Sequence, residues 1–230
     1  EYTRYLREYR DILKLWMVAP ELDDAKAFMD AVTAAGIPLA IGHSEAAAAC
    51  VADAVQRGAR IAVHLCDATG TAISPSRWEG TLEVSFDVAC MLQKGLFCEI
   101  INDENGVHVR HDMIRFIIQA VGLDRVIAVT DACTGAKDDT DVNIVDGDLF
   151  GSKLCMNQAA RNFRNKIGLT EPEVFRVCAL NAARALGMDK DVGSLAAGKQ
   201  ANIVLLDQAY QVREVFLRAE HVVQGGKLCI

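Results

Sequence analysis

The chain has 230 residues, about half of them hydrophobic, and a formal net charge of -7, which suits one large α/β domain or a domain with a small appendage. It carries no basic block, which argues against a nucleic-acid surface. No apolar run approaches the roughly 20 residues needed to span a bilayer, and the opening residues do not read as a signal peptide. Eight cysteines raise the question of a disulfide framework. Cys50, Cys90, Cys155 and Cys178 fall inside apolar helical patterns and Cys98 inside an apolar strand-like run, with no C-x-x-C spacing anywhere. They read as reduced, buried thiols of a cytoplasmic protein.

Taken in order, residues 1–12 have the spacing of a charged, tyrosine-bearing helix. Residues 13–19 read as a short strand closed by Pro20. Asp23 and Asp24 start a helix with Ala27, Phe28, Ala31 and Val32 on one side, and Gly36 ends it. Residues 38–41 form the next strand, which runs into Gly42-His43-Ser44. An alanine-rich helix follows to Gly58, then a strand over 60–65 that carries His64. This strand–helix–strand beat predicts parallel βα units.

Residues 66–81 are rich in Ser, Thr, Gly and Pro, and a loop of that length in a compact domain is usually functional. A helix is expected over 87–94, a strand over 96–101, a polar loop with Gly106 and His108 over 102–109, and a helix over 111–121. Val126-Ile127-Ala128-Val129 is an apolar run without alternation, the mark of a strand buried on both faces. It runs into Thr130-Asp131-Ala132. Residues 133–151 read as an excursion with a hairpin at Asp146-Gly147-Asp148. Helices are expected over 156–167 and 171–187, the second opened by a Thr170/Glu173 capping box around Pro172. From about residue 191 the tail reads as small antiparallel strands.

Five βα-type strands precede residue 132. His43, His64 and Asp131 stand at or near the C-terminal ends of three, and His108 lies in the loop after a fourth. In a barrel such ends open into one mouth. Two neutral imidazoles on neighbouring strands can bind a divalent metal, given a further ligand and an open position for water. A carboxylate beside that water could accept its proton, and another histidine could polarise a carbonyl. Each part also has a plainer reading: a hydrogen-bonded core histidine, or an N-cap for Asp131. His111 and His221 read as structural; Glu21 could be a metal ligand or merely a helix-start acid that suits the helix dipole, and the second reading is favoured.

Met17-Val18-Ala19-Pro20-Glu21, Ile41-Gly42-His43-Ser44, Val63-His64-Leu65, Gly106-Val107-His108-Val109, Val129-Thr130-Asp131-Ala132 and the tail Gly193-Ser194-Leu195-Ala196-Ala197-Gly198-Lys199 occur in this order. The series resembles the N-acetylglucosamine-6-phosphate deacetylases of the amidohydrolase superfamily over essentially the whole chain. The resemblance implies an α/β fold, a (β/α)8 TIM barrel over 1–190 and part of a small β-sandwich over 191–230. It implies that His43 and His64 bind zinc or iron, that Asp131 is the general base, and that His108 contacts substrate. Asp67, Ala68, Phe150, Gly151 and Ser152 fall on substrate-contacting segments. A homodimer in which an arginine reaches the partner's phosphate site is also implied, with Arg77 its counterpart here.

Three departures stand against that pattern. The family's first strands and its H-x-E-G-P segment with a metal-binding glutamate would precede residue 1, so the chain is expected to be a fragment. Asp67 stands where an asparagine is usual, and its charge would repel a phosphate. Asp103-Glu104-Asn105-Gly106 replaces a shorter turn and brings another acid towards the substrate. The alternatives are an amidohydrolase acting on an unphosphorylated amide or cyclic imide, or a catalytically silent paralogue that binds sugar or a partner. No G-x-G-x-x-G follows a strand, which disfavours a dinucleotide site.

Overall fold

The computed structural model describes residues 2–69, 83–133, 135 and 138–229. The chain forms two compact units, one of residues 1–100 with 117–126 and one of residues 101–116 with 127–230.

The first unit follows the expected beat: α1 (Tyr2–Glu8), β1 (Trp16–Val18), α2 (Ala25–Ala34), β2 (Leu39–Ile41), α3 (Ala48–Gln56), β3 (Ala59–Ala62), α4 (Phe86–Leu92) and β4 (Phe97–Ile101) as far as Ile100. The four strands pair side by side and in parallel, with Met17 opposite Ala40, Ile41 opposite Ala62 and Ile61 opposite Phe97. Leu39, Ala40 and Ile41 are all fully buried, which is why β2 has no polar alternation to read. Helix α4 opens on Ser85, whose hydroxyl accepts from the Val88 N–H at 3.3 Å, the usual satisfaction of a free helix-start donor. Trp16 on β1 and Tyr2 on α1 both pack edge-on against Phe28 of α2, each at 5.2 Å between ring centres. Burial pushes the Cys66 and Cys98 thiols up to about 12, so both stay protonated hydrophobes.

The second unit holds β5 (Val126–Val129) from Ile127 onward and the hairpin β6 (Val142–Val145) and β7 (Asp148–Ser152). Asp146 and Gly147 turn that hairpin at φ of 54° and 93°, the two positive values a type I′ turn requires. Helix α5 (His111–Val121) lies where the sequence places it and is divided between the units. Then come α6 (Met156–Asn162) running into a π turn at Phe163–Ile167, α7 (Glu171–Phe175), a second π turn at Arg176–Leu180, and α8 (Asn181–Ala185). The capping box at α7 is present: the Glu173 carboxylate accepts from the Thr170 N–H at 2.8 Å and its hydroxyl at 2.6 Å. Ile101, Leu154, Ala159 and Val129 pack together beneath the β5 end. The tail is an antiparallel sheet in the order β11 (Lys227–Leu228), β10 (Glu220–Gln224), β9 (Val212–Leu217), β8 (Ile203–Leu206).

Some boundaries differ from expectation. The first helix stops at Glu8 and the first strand keeps only three residues. β3 ends at Ala62, so His64 lies in the turn beyond it rather than within it. The helix expected over 171–187 ends at Ala185. Among the described residues no helix is long and apolar enough to cross a membrane.

Candidate active site

In the first unit, β2 ends at Ile41 and passes into Gly42-His43-Ser44. A Cβ on Gly42 would stand 2.9 Å from the Val63 Cβ, so only glycine lets the two outgoing strands approach this closely. His43 turns at φ 48° and His64 at φ 28°, left-handed values that end extended pairing and swing both rings off their strand axes. The two Nε2 atoms come within 2.8 Å, the ring planes 86° apart. His64 Nδ1 lies 2.9 Å from the Asp67 carbonyl oxygen. A carbonyl only accepts, so Nδ1 carries the proton and the Nε2 lone pair faces His43.

Two imidazole nitrogens aimed at one point, one with its far nitrogen tied to a carbonyl, are the outer-shell pattern of metal-ligating histidines. The pair fits a divalent cation as two of its ligands. Among the described residues, no cluster of three or more His, Cys, Asp or Glu is placed to complete a site. The turn that carries His64 is pinned by buried Asp87, whose carboxylate accepts from the Cys66 N–H at 2.9 Å and the Thr69 hydroxyl at 2.6 Å. Asp67 contributes its backbone carbonyl, Ala68 is exposed, and Arg77 lies outside the described residues.

In the second unit, Asp131 follows β5 at φ 47°. The segment ending β7 clamps it: the Ser152 N–H donates to the Asp131 carbonyl at 2.8 Å, the Cys133 N–H donates to the Ser152 carbonyl at 2.9 Å, and the Ser152 hydroxyl donates to the Thr130 carbonyl. Gly151, at φ 57°, allows this, since a Cβ there would stand 2.6 Å from the Asp131 carbonyl oxygen. The Gly151 carbonyl lies 3.1 Å from His108 Nε2, and Nδ1 of the same ring lies 3.1 Å from Asp103 Oδ2. Asp131, His108, Gly151 and Ser152 are thus brought together. Phe150 is 62% exposed; its carbonyl accepts from the Asn143 side-chain amide at 2.8 Å.

Three acids have roles the residue pattern did not reveal. Asp103 is fully buried and accepts from the His108 ring and from the Val107 and His108 N–H groups. Burial raises its pKa, but the His108 ring and those amides outweigh it and hold the carboxyl at about 2. Glu104 pairs with Arg161 at 3.0 Å and Lys166 at 2.6 Å, so the acid expected near the substrate is already neutralised by cations. Glu21 does not start a helix, because α2 begins only at Ala25. Its carboxylate instead accepts from the Ser44 hydroxyl and the Glu45 N–H. Acids that bind across a fold leave no local spacing to find.

The profile described as the amidohydrolase family matches residues 9–228. N-acetylglucosamine-6-phosphate deacetylase of Bacillus subtilis (strain 168) is 26% identical over 228 residues, covering 92% of this chain and 55% of that protein. N-acetylgalactosamine-6-phosphate deacetylase of Escherichia coli O157:H7 is 27% identical over 223 residues, 90% of this chain and 56% of that protein. Among solved structures, a mutant N-acetyl-D-glucosamine-6-phosphate deacetylase from Mycobacterium smegmatis, in complex with N-acetyl-D-glucosamine-6-phosphate, aligns at a TM-score of 0.84 and 29% identity, covering 97% of this chain and 61% of that chain. This chain spans about half the length of the curated relatives it matches. With the profile running from residue 9 to residue 228 of 230, the chain belongs to the amidohydrolase family.

Proposed function

We propose that the chain is part of a metal-dependent deacetylase of N-acetylated amino-sugar phosphates, N-acetylglucosamine-6-phosphate first among them, acting in amino-sugar breakdown. The observation that carries this is the convergence of the His43 and His64 Nε2 atoms beyond neighbouring parallel strands. Residues 1–190 belong to a (β/α)8 barrel and residues 191–230 to a small sandwich in this reading. The protein is a cytoplasmic homodimer, and Arg77 serves the phosphate.

His43 and His64 hold a divalent cation, zinc by preference and iron as the second choice, which when bound supplies Lewis acidity to a water and to the amide carbonyl. Asp131 takes a proton from the attacking water on its carboxylate. It returns that proton to the amine nitrogen as the C–N bond breaks, leaving the amine and acetic acid. The acid's remaining proton passes to the amine in water, giving acetate and the ammonium form of the amino sugar, so no net proton is needed. The His108 Nε2 proton, resting on the Gly151 carbonyl, is available to the developing negative charge on the amide oxygen. Gly151 and Ser152 keep Asp131 in place.

Asp131→Asn in the complete gene product is expected to abolish acetate release while metal content stays near wild type. Ordinary turnover in that variant would remove Asp131 from the chemistry. Asp67 favours a second reading, an unphosphorylated amide or imide as substrate, and parallel assays of N-acetylglucosamine with and without its phosphate separate the two.

A further inference from the structure

Glu21 is an exposed acid just past the end of β1, yet both its carboxylate oxygens are engaged. Oε2 accepts from the Ser44 hydroxyl at 2.6 Å and Oε1 from the Glu45 N–H at 2.8 Å. Ser44 is 2% exposed, and its Oγ in turn accepts from the Ala46 N–H at 3.0 Å. These bonds hold the two residues that follow His43, which itself stands at a left-handed φ of 48°. A non-glycine residue holds such a conformation only when its surroundings over-determine it. Hydrogen bonds to an ionised acceptor are about twice as strong as neutral ones, and here two of them act on adjacent residues. Pro20, buried and with fixed φ, anchors the side from which Glu21 reaches.

We infer that Glu21 is a positioning residue: through Ser44 and Glu45 it fixes the backbone of His43 and so aims that ring at His64. The consequence for cation binding rests on the metal-centre reading above; the consequence for the ring geometry does not. A purely stabilising latch would lower the unfolding midpoint when broken and leave the imidazole pair as it was. A positioning latch changes the pair itself.

The test uses the complete gene product as wild type, Glu21→Ala, Glu21→Gln and His43→Ala. Histidine side-chain ¹H–¹⁵N spectra are recorded without metal, and zinc affinity is measured by chelator competition. In Glu21→Ala the His43 and His64 ring signals are expected to shift or broaden while those of His221 stay. The zinc dissociation constant should rise roughly tenfold or more, the size of outer-shell losses at metal sites. Glu21→Gln keeps one acceptor and should recover part of both effects. The inference is overturned if Glu21→Ala leaves the ring signals unmoved, with or without a loss of stability. It is overturned equally if His43→Ala loses zinc and Glu21→Ala binds it as wild type does. If wild type takes up no zinc but the ring signals still move in Glu21→Ala, the latch stands and the metal-centre reading falls.

Discussion

His43, His64 and Asp131 stand at φ of 48°, 28° and 47°, each just past a buried strand. An L-residue pays roughly 1–2 kcal/mol to sit in that region, so all three positions hold strain that neighbouring contacts must offset. The contacts are specific: the Asp67 carbonyl for His64, and the Ser152 N–H for Asp131. Glycine appears where the backbone must come close instead. At Gly42 an added Cβ would lie 2.9 Å from the Val63 Cβ, 3.4 Å from its Cγ2 and 3.5 Å from its carbonyl oxygen, so a methyl group forces the strand ends apart. Gly42→Ala is expected to cost about 1–3 kcal/mol, the range for overpacking, read as a lower urea midpoint. Gly95→Ala is the control, because a Cβ there meets nothing within 4 Å. Equal midpoints for the two variants would mean the approach at Gly42 is not tight.

At the scale of an element, the loop between β4 and α5 is built around Asp103. Its carboxylate gathers backbone N–H groups from Asn105, Val107 and His108 and the His108 ring, leaving the carboxyl at about 2 against an ordinary 3.8. The folded-state value is depressed, so the stabilisation is fully present above the unfolded value near 4. It is lost as pH falls from there through about 2. A shift of that size corresponds to roughly 2 kcal/mol. Asp103→Asn should therefore flatten the acid limb of a stability–pH curve between pH 4 and 2, and an unchanged limb would show that the loop does not depend on this charge. Much of the element order was legible. The helix over 111–121, the hairpin turn at Asp146-Gly147 and the α7 start at Thr170 and Glu173 were readable because each signal is local. His64 beyond its strand, Glu21 on Ser44 and the Asp103–His108 pair were not legible. They depend on contacts between segments 5 to 23 residues apart and on a backbone sign that L-residues rarely adopt.

Over the whole chain, the two imidazoles belong to one compact unit and the Asp131 carboxylate to the other, so the proposed cation-binding and proton-transfer roles can be tested by separate variants. Binding to the folded state raises stability by mass action: zinc at about 100 times its dissociation constant would add about 2.7 kcal/mol. For a chain of 230 residues at roughly 2–4 °C per kcal/mol, the melting temperature should rise by about 5–10 °C. His43→Ala should erase the shift, measured from that variant's own metal-free melting point because the His43 ring also packs edge-on against buried His64. On the proposed role of Asp131 as base and not ligand, Asp131→Asn should keep the shift in full. A zinc-dependent rise that survives His43→Ala would place the cation elsewhere. A rise lost with Asp131→Asn would make that carboxylate a ligand and oblige another group to act as the base.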